Sequence, residues 1–162
     1  MTEVTLCQVY APTTDASDDT TDAFYNDLQQ EMHRIPNKDS IILMGDFNAK
    51  VGTGDQSTNG LIGLHGIGER NERGDRLLDF CYANNLCISN TCFKQTKLSR
   101  SWTWESPDKQ TYNKIDYILV SKKLMYSVGL QNSIGQGCKK VLFLAIKSLA
   151  QEQQTAIAQE LG

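Results

Sequence analysis

Ile41, Ile42, Leu43 and Met44 follow Ser40 as an unbroken apolar run closed by Gly45, and no other feature constrains the fold as much. An extended segment sends successive side chains to opposite faces, so Ser40 to Met44 predicts a strand buried on both sides. A sheet covered twice needs layers above and below it. With 162 residues the chain is long enough for one domain with such a core, since folding at this size removes roughly 70% of the unfolded chain's surface from water.

The flanking segments supply the layers. Val4 to Tyr10 alternates as a strand and ends at Ala11-Pro12-Thr13-Thr14, because proline cannot continue a ladder. Asp15, Asp18, Asp19 and Asp22 suit a helix start, and Phe24, Leu28, Met32 and Ile35 then recur at helical spacing up to Pro36. Val51 to Gly74 is glycine-rich with scattered apolar residues, which predicts a long irregular loop whose glycines mark flexibility. Leu77, Leu78 and Cys81 predict a second helix from about Asp75 to Ala83, capped by Asn84-Asn85. Leu86 to Ser89, Ser101 to Glu105, Ile115 to Val120 and Val128 to Asn132 read as further strands, and Lys139 to Leu161 as a weakly packed helical tail. The order is that of a mixed α/β (α+β) domain packed in layers.

Several classes are excluded. The longest apolar run, Val141 to Ile146, is far short of the about 20 residues a membrane helix needs. The five cysteines are odd in number and form no Cys-x-x-Cys pair, so neither a disulfide framework nor a structural zinc site is expected. A net charge of −3 argues against a general nucleic-acid coat, because counterion release rewards surplus lysine and arginine. With no basic start or apolar signal core, the chain is expected to be soluble and intracellular. It would be nuclear if it acts on DNA.

Chemistry points first to Gly45-Asp46-Phe47-Asn48, where the buried strand runs out. On an extended segment Asp46 and Asn48 share a face while Phe47 turns to the core. The carboxylate can take a proton from water or help hold a hard cation, and the amide can orient water or a phosphate oxygen. The same residues also favour a simple turn. An EF-hand reading fails, since Lys50 occupies a ligand position, Gly52 comes one residue late and Ser57 stands where a bidentate Glu belongs. Gly63-x-x-Gly66-x-Gly68 follows no strand and is not a dinucleotide fingerprint. Trp102 and Trp104, two apart, share a face of any strand and either stack on bases or pack in the core. Lys94, Lys97 and Arg100 give that segment a local positive charge. His33 and His65, neither in an Asp-His pair, read as surface residues.

Taken in order, four motifs resemble the endonuclease/exonuclease/phosphatase superfamily: Val9-Tyr10-Ala11-Pro12, Gly45-Asp46-Phe47-Asn48-Ala49-Lys50-Val51-Gly52, Ser101-Trp102-Thr103-Trp104 and Lys114-Ile115-Asp116-Tyr117-Ile118-Leu119-Val120-Ser121. Asn71-Glu72-Arg73-Gly74, leading into Leu77-Leu78-Asp79-Phe80, brings them closer to the endonuclease part of LINE-type retrotransposons of the RTE kind. The set also resembles the group of genomic copies called craniofacial development protein 2-like. The resemblance covers Val4 to about Leu130 and implies a four-layer sandwich of two mixed β-sheets flanked by helices. It implies hydrolysis of phosphodiesters in DNA with Mg²⁺ or Mn²⁺, the metal being held at Asp46 and Asn48. Asp46 would activate the attacking water, Asn48 would position it, and Tyr10 would donate a hydrogen bond to the scissile phosphate. Asp116 would hold a catalytic histidine. Trp102, Trp104 and Arg100 would meet the substrate. Tyr10 also reads as a buried aromatic, and Asp116 as a surface charge at a strand end.

The resemblance has gaps. No residue from Met1 to Thr5 matches the family's metal-binding Glu, and the stretch after Asn132, Ser133-Ile134-Gly135-Gln136-Gly137-Cys138, carries no histidine for Asp116. The expectation is a partial domain over 1–132 with an incomplete sheet and a divergent tail over 133–162. Three functions follow for comparison: a weak or inactive Mg²⁺-dependent endonuclease, a noncatalytic binding remnant, and a phosphatase acting on monoesters.

Overall fold

The computed structural model describes residues 3–92, 94 and 102–127. Strand β1 (Val4–Tyr10) leads through helix α1 (Asp18–Arg34) to β2 (Ser40–Asp46), and the two strands pair in parallel. Then come α2 (Glu72–Ala83), β3 (Leu86–Ile88), a small antiparallel ribbon of β4 (Trp104–Glu105) with β5 (Tyr112–Asn113), β6 (Asp116–Ser121) and α3 (Lys122–Ser127). The main sheet runs β1-β2-β6-β3, with β6 antiparallel to both neighbours. Two sheets with helices packed on one of them make the mixed α/β architecture that the apolar run of β2 demands.

Local chemistry sets the helix ends. Ser17 caps α1 by accepting the Thr20 N–H at 3.2 Å, and Asp18 and Asp19 occupy the first turn near the positive end of the helix dipole. Ile35 ends the helix in an extended conformation, as a residue preceding proline prefers. The buried stripe is Thr21, Tyr25, Leu28 and Met32. Leu28 and Met32 are buried as expected, Phe24 and Ile35 pack partly buried against the same core, and Tyr25 joins it with Phe24 edge-on to its ring at 5.2 Å. Asn84 caps α2 and Asn85 adopts a positive φ of 52°, as an asparagine at a helix end does.

Side chains of β2 divide between two cores. Leu43 and Ile41 join the face covered by α1 and α2, with Tyr25, Leu28, Leu77, Leu78, Phe80 and Leu119. Ile42 and Met44 join Cys87, Val120 and Met125 on the other face. Cys81 and Cys87 are buried free thiols, and burial pushes Cys87 up to about 12, so neither behaves as a nucleophile. None of the helices among the described residues is long and apolar enough to cross a membrane.

Three expectations need correction. Helix α2 begins at Glu72 rather than Asp75, because Asn71 caps it by accepting the Gly74 N–H at 2.9 Å. Several glycines of the long loop are contact points rather than marks of flexibility: a Cβ at Gly63 would overlap the Thr91 carbonyl, one at Gly66 the Gly52 carbonyl and one at Gly74 the Lys50 carbonyl, whereas Gly68 takes a left-handed φ of 73° in open space. Of the strand expected over Ser101 to Glu105, the described residues 102–105 show only Trp104–Glu105 as strand, its partner β5 and helix α3 being too short to show a period. The strand expected at Val128 to Asn132, the helical tail, the boundary at 132/133 and Arg100 lie outside the described residues.

Candidate functional site

Three neighbouring strands each carry an alternating series on the face away from α1 and α2: Leu6-Gln8-Tyr10 on β1, Ile42-Met44-Asp46 on β2 and Val120-Ile118-Asp116 on β6. Register aligns the ends of these series, since Tyr10 pairs with Asp46 and Asp46 with Asp116. Each series starts apolar, and the three ends form one polar row across the sheet edge. The Phe47 N–H bonds the Ile115 carbonyl at 2.9 Å, and the N–H and C=O of Asp116 are bonded on the side away from β2, by Thr103 and Asn90. Asp46 and Asp116 are therefore a non-hydrogen-bonded pair, the kind whose side chains stand closest.

The strand ends at Asp46 because the backbone turns there. Asp46 Oδ1 accepts the Asn48 N–H at 2.8 Å, and Asn48 takes a left-handed φ of 46°. Asn48 Nδ2 donates to the Ala11 carbonyl at 2.8 Å, tying the ends of β1 and β2 together. Among the described residues no protein group donates to Asn48 Oδ1. The turn and the site are thus one structure, and Asp46 and Asn48 meet through a side-chain bond instead of strand alternation. Phe47, 2% exposed, fills the core below as expected. Partial burial raises the Asp46 carboxyl above its ordinary range; the Asn48 N–H opposes that shift and the charge of Asp116 adds to it.

Tyr10 is 69% exposed, so it is not a buried aromatic. Asp116 is half-buried and faces Asp46. The chain's two histidines lie elsewhere: His33 is exposed on α1 beside Gln29, and His65 is exposed in the long loop, its N–H on the Thr91 carbonyl. Asp116 therefore orients no imidazole. The tryptophans part company, because Trp102 precedes the ribbon and packs on Tyr112 with ring centres 4.4 Å apart, whereas Trp104 on β4 is 40% exposed.

Sequence reasoning missed the residues that hold this row. Asn90 Nδ2 donates to the Asp116 carbonyl at 3.0 Å, and its Oδ1 accepts the Ile118 N–H at 3.3 Å. Thr103 Oγ1 accepts the N–H groups of Ile115 and Asp116 at 3.0 and 3.2 Å. Lys114 is 4% exposed and donates to the Asn90 carbonyl at 3.4 Å, with burial pulling its pKa down. Asn90, Thr103, Asp116, Met44, Ile118 and Gln8 line a cavity of about 380 Å³. Thr103 lay inside a quoted motif, whereas Asn90 had no signal beyond following a short apolar strand.

Like charges placed directly opposite on adjacent strands repel, and a cation between Asp46 and Asp116 would relieve that repulsion. Two carboxylates and an amide oxygen match a hard ion such as Mg²⁺, which is commonly held by one or two carboxylates together with substrate phosphate and water. Among the described residues no group of three or more His, Cys, Asp or Glu forms an all-protein cage. The residues present fit a site that substrate completes.

A family model described as Endonuclease-reverse transcriptase matches residues 4–135. Craniofacial development protein 2 of Tragulus javanicus and that of Bos taurus are each 42% identical over 125 residues, which are 77% of this chain and 21% of theirs. The chain thus spans about a fifth of the length of these relatives. Among solved structures, the endonuclease domain of TRAS1, a telomere-specific non-LTR retrotransposon, aligns with a TM-score of 0.45 and 17% identity over 72% of this chain and 44% of that one. The family match takes in all four motifs, from Val9-Tyr10-Ala11-Pro12 to the strand carrying Asp116, and the chain belongs to the endonuclease-reverse transcriptase family.

Proposed function

We propose that the chain is a divalent-metal-dependent phosphodiesterase that nicks DNA, with the row Tyr10, Asp46, Asp116 and the adjacent Asn48 as its reacting end. Register carries this reading, since it brings residues from three separate motifs to one sheet edge. Asp46, its carboxyl raised by burial, accepts a proton from the attacking water. Asn48, fixed through Nδ2, has its carbonyl oxygen available to orient that water and would help hold the ion. Tyr10 donates a hydrogen bond to the phosphate oxygen on which charge develops. Mg²⁺ or Mn²⁺ bound by Asp46 and Asn48, with Asp116 opposite, would supply charge stabilisation worth several kcal/mol. With no imidazole beside Asp116, turnover is slow, since a lacking general acid or base costs about 10²- to 10⁴-fold. A nuclear location follows from a DNA substrate.

A second reading, a noncatalytic module that binds nucleic acid through the ribbon, is favoured by the exposure of Trp104 and Tyr112. One assay separates the two. The chain is incubated with supercoiled plasmid in Mg²⁺, with a chelator control and Asp46→Ala alongside. Nicking that chelator abolishes and Asp46→Ala loses supports the nuclease. Plasmid retention without nicking, by a folded sample, supports the binding module.

A further inference from the structure

We infer that Asn90 and Thr103 are positioning residues that cradle Asp116 and thereby set the affinity of the carboxylate pair for a divalent cation. The inference rests on the metal-dependent reading above and adds residues to it. Asp116 is the first residue of β6, and only one backbone bond to the β2 side, from the Phe47 N–H to the Ile115 carbonyl at 2.9 Å, lies beyond it. In the non-hydrogen-bonded position its N–H and C=O point away from β2, so β2 cannot hold them. They are held from the other side instead. Thr103 Oγ1 takes the Asp116 N–H at 3.2 Å and the Ile115 N–H at 3.0 Å, while Asn90 Nδ2 bonds the Asp116 carbonyl at 3.0 Å. Asn90 Oδ1 also takes the Ile118 N–H at 3.3 Å, spanning the strand by two residues. Asn90 is held in turn, its carbonyl accepting from the buried Lys114. Pairing with β2 sets the distance between the strands, and the cradle fixes the Asp116 peptide groups that this pairing leaves free, so the carboxylate is presented from a held backbone. A cation held at this end by Asp46 and Asn48, with Asp116 opposite, would gain from the fixed backbone because the protein would not have to order it on binding.

The test measures Mn²⁺ binding by the folded 162-residue chain, using the metal alone and spin resonance of the free ion, so that it needs no turnover. Asn90→Ala and Thr103→Val are compared with Ser89→Ala, which removes a buried hydroxyl bonded to the Ile118 carbonyl at 2.9 Å but leaves Asp116 untouched. Outer partners of metal ligands typically change affinity 10- to 100-fold, so both cradle variants should bind Mn²⁺ about tenfold more weakly. Ser89→Ala should stay within about twofold. Thr103 is exposed, so its variant carries the test if Asn90→Ala folds poorly. Binding that Asp116→Ala loses and both cradle variants retain overturns the inference while leaving the metal reading intact. Equal losses in Ser89→Ala also overturn it, since general support of β6 would then explain the effect. Wild-type chain that binds no Mn²⁺ overturns the metal reading and this inference together.

Discussion

Asn71→Ala should destabilise the chain by more than a helix cap alone explains. Asn71 Oδ1 accepts two N–H groups, that of Gly74 inside α2 and that of Lys50 just beyond the Asp46–Asn48 turn, each at 2.9 Å. Its own N–H returns to the Lys50 carbonyl at 3.1 Å. Losing the cap costs about 1 kcal/mol, and leaving the part-buried Lys50 N–H without a partner adds about 1 to 3 kcal/mol. Together these give about 3 kcal/mol, which at about 2 to 4 °C per kcal/mol for a chain of this size lowers Tm by about 6 to 12 °C. Asn71→Asp retains an acceptor for both donors and places a negative charge at the helix start, so it should cost less than about 1 kcal/mol. Urea and thermal unfolding followed by far-ultraviolet circular dichroism and tryptophan fluorescence measure all three proteins. An Asn71→Ala loss below about 0.5 kcal/mol, or an equal loss in Asn71→Asp, would refute the idea that this side chain joins α2 to the turn.

The pH dependence of Asp46 has a definite sign. Its carboxyl is raised in the folded state by burial and by Asp116, so the folded chain holds that proton at pH values where the unfolded chain has released it. Stability contributed at this position therefore falls as pH climbs from the ordinary carboxyl value of about 3.9 through the raised one. Asp46→Asn should raise Tm at pH 7, with the advantage closing below about pH 4, and a Tm lowered at pH 7 would contradict the sign. The two tryptophans should separate cleanly. Trp104→Ala should leave Tm nearly unchanged and weaken binding of single-stranded DNA by about 1 to 3 kcal/mol. Trp102→Ala should instead lower stability by about 0.5 to 1.5 kcal/mol beyond its lost burial, through the ring contact with Tyr112. Reversed outcomes would exchange the roles.

What could be read in advance depended on whether a signal was local. β1, α1 and β2 were legible because alternation, a helical stripe and Pro36 all act within a few residues of one another. The start of α2 was not, since the residue that fixes it, Asn71, is defined as much by Lys50 twenty-one positions earlier as by Gly74. The loop glycines misled for the same reason: a missing Cβ reads as freedom until the carbonyl pressed against it is known, and at Gly74 that carbonyl is Lys50's. Asp46 and Asn48 do lie together, but by a turn and a side-chain bond rather than by the strand alternation from which their pairing was argued, as the chain turns at Asn48. The row itself has no trace in spacing. Tyr10, Asp46 and Asp116 lie 36 and 70 positions apart and meet only because β2 pairs with β1 on one side and β6 on the other. Asn90 lay deeper still, because a residue that acts through backbone groups of another strand needs only an amide at the right place. Motif order reached this row where periodicity did not, since two of the motifs lie where β1 and β2 end and a third where β6 begins, and the main sheet brings those three points together.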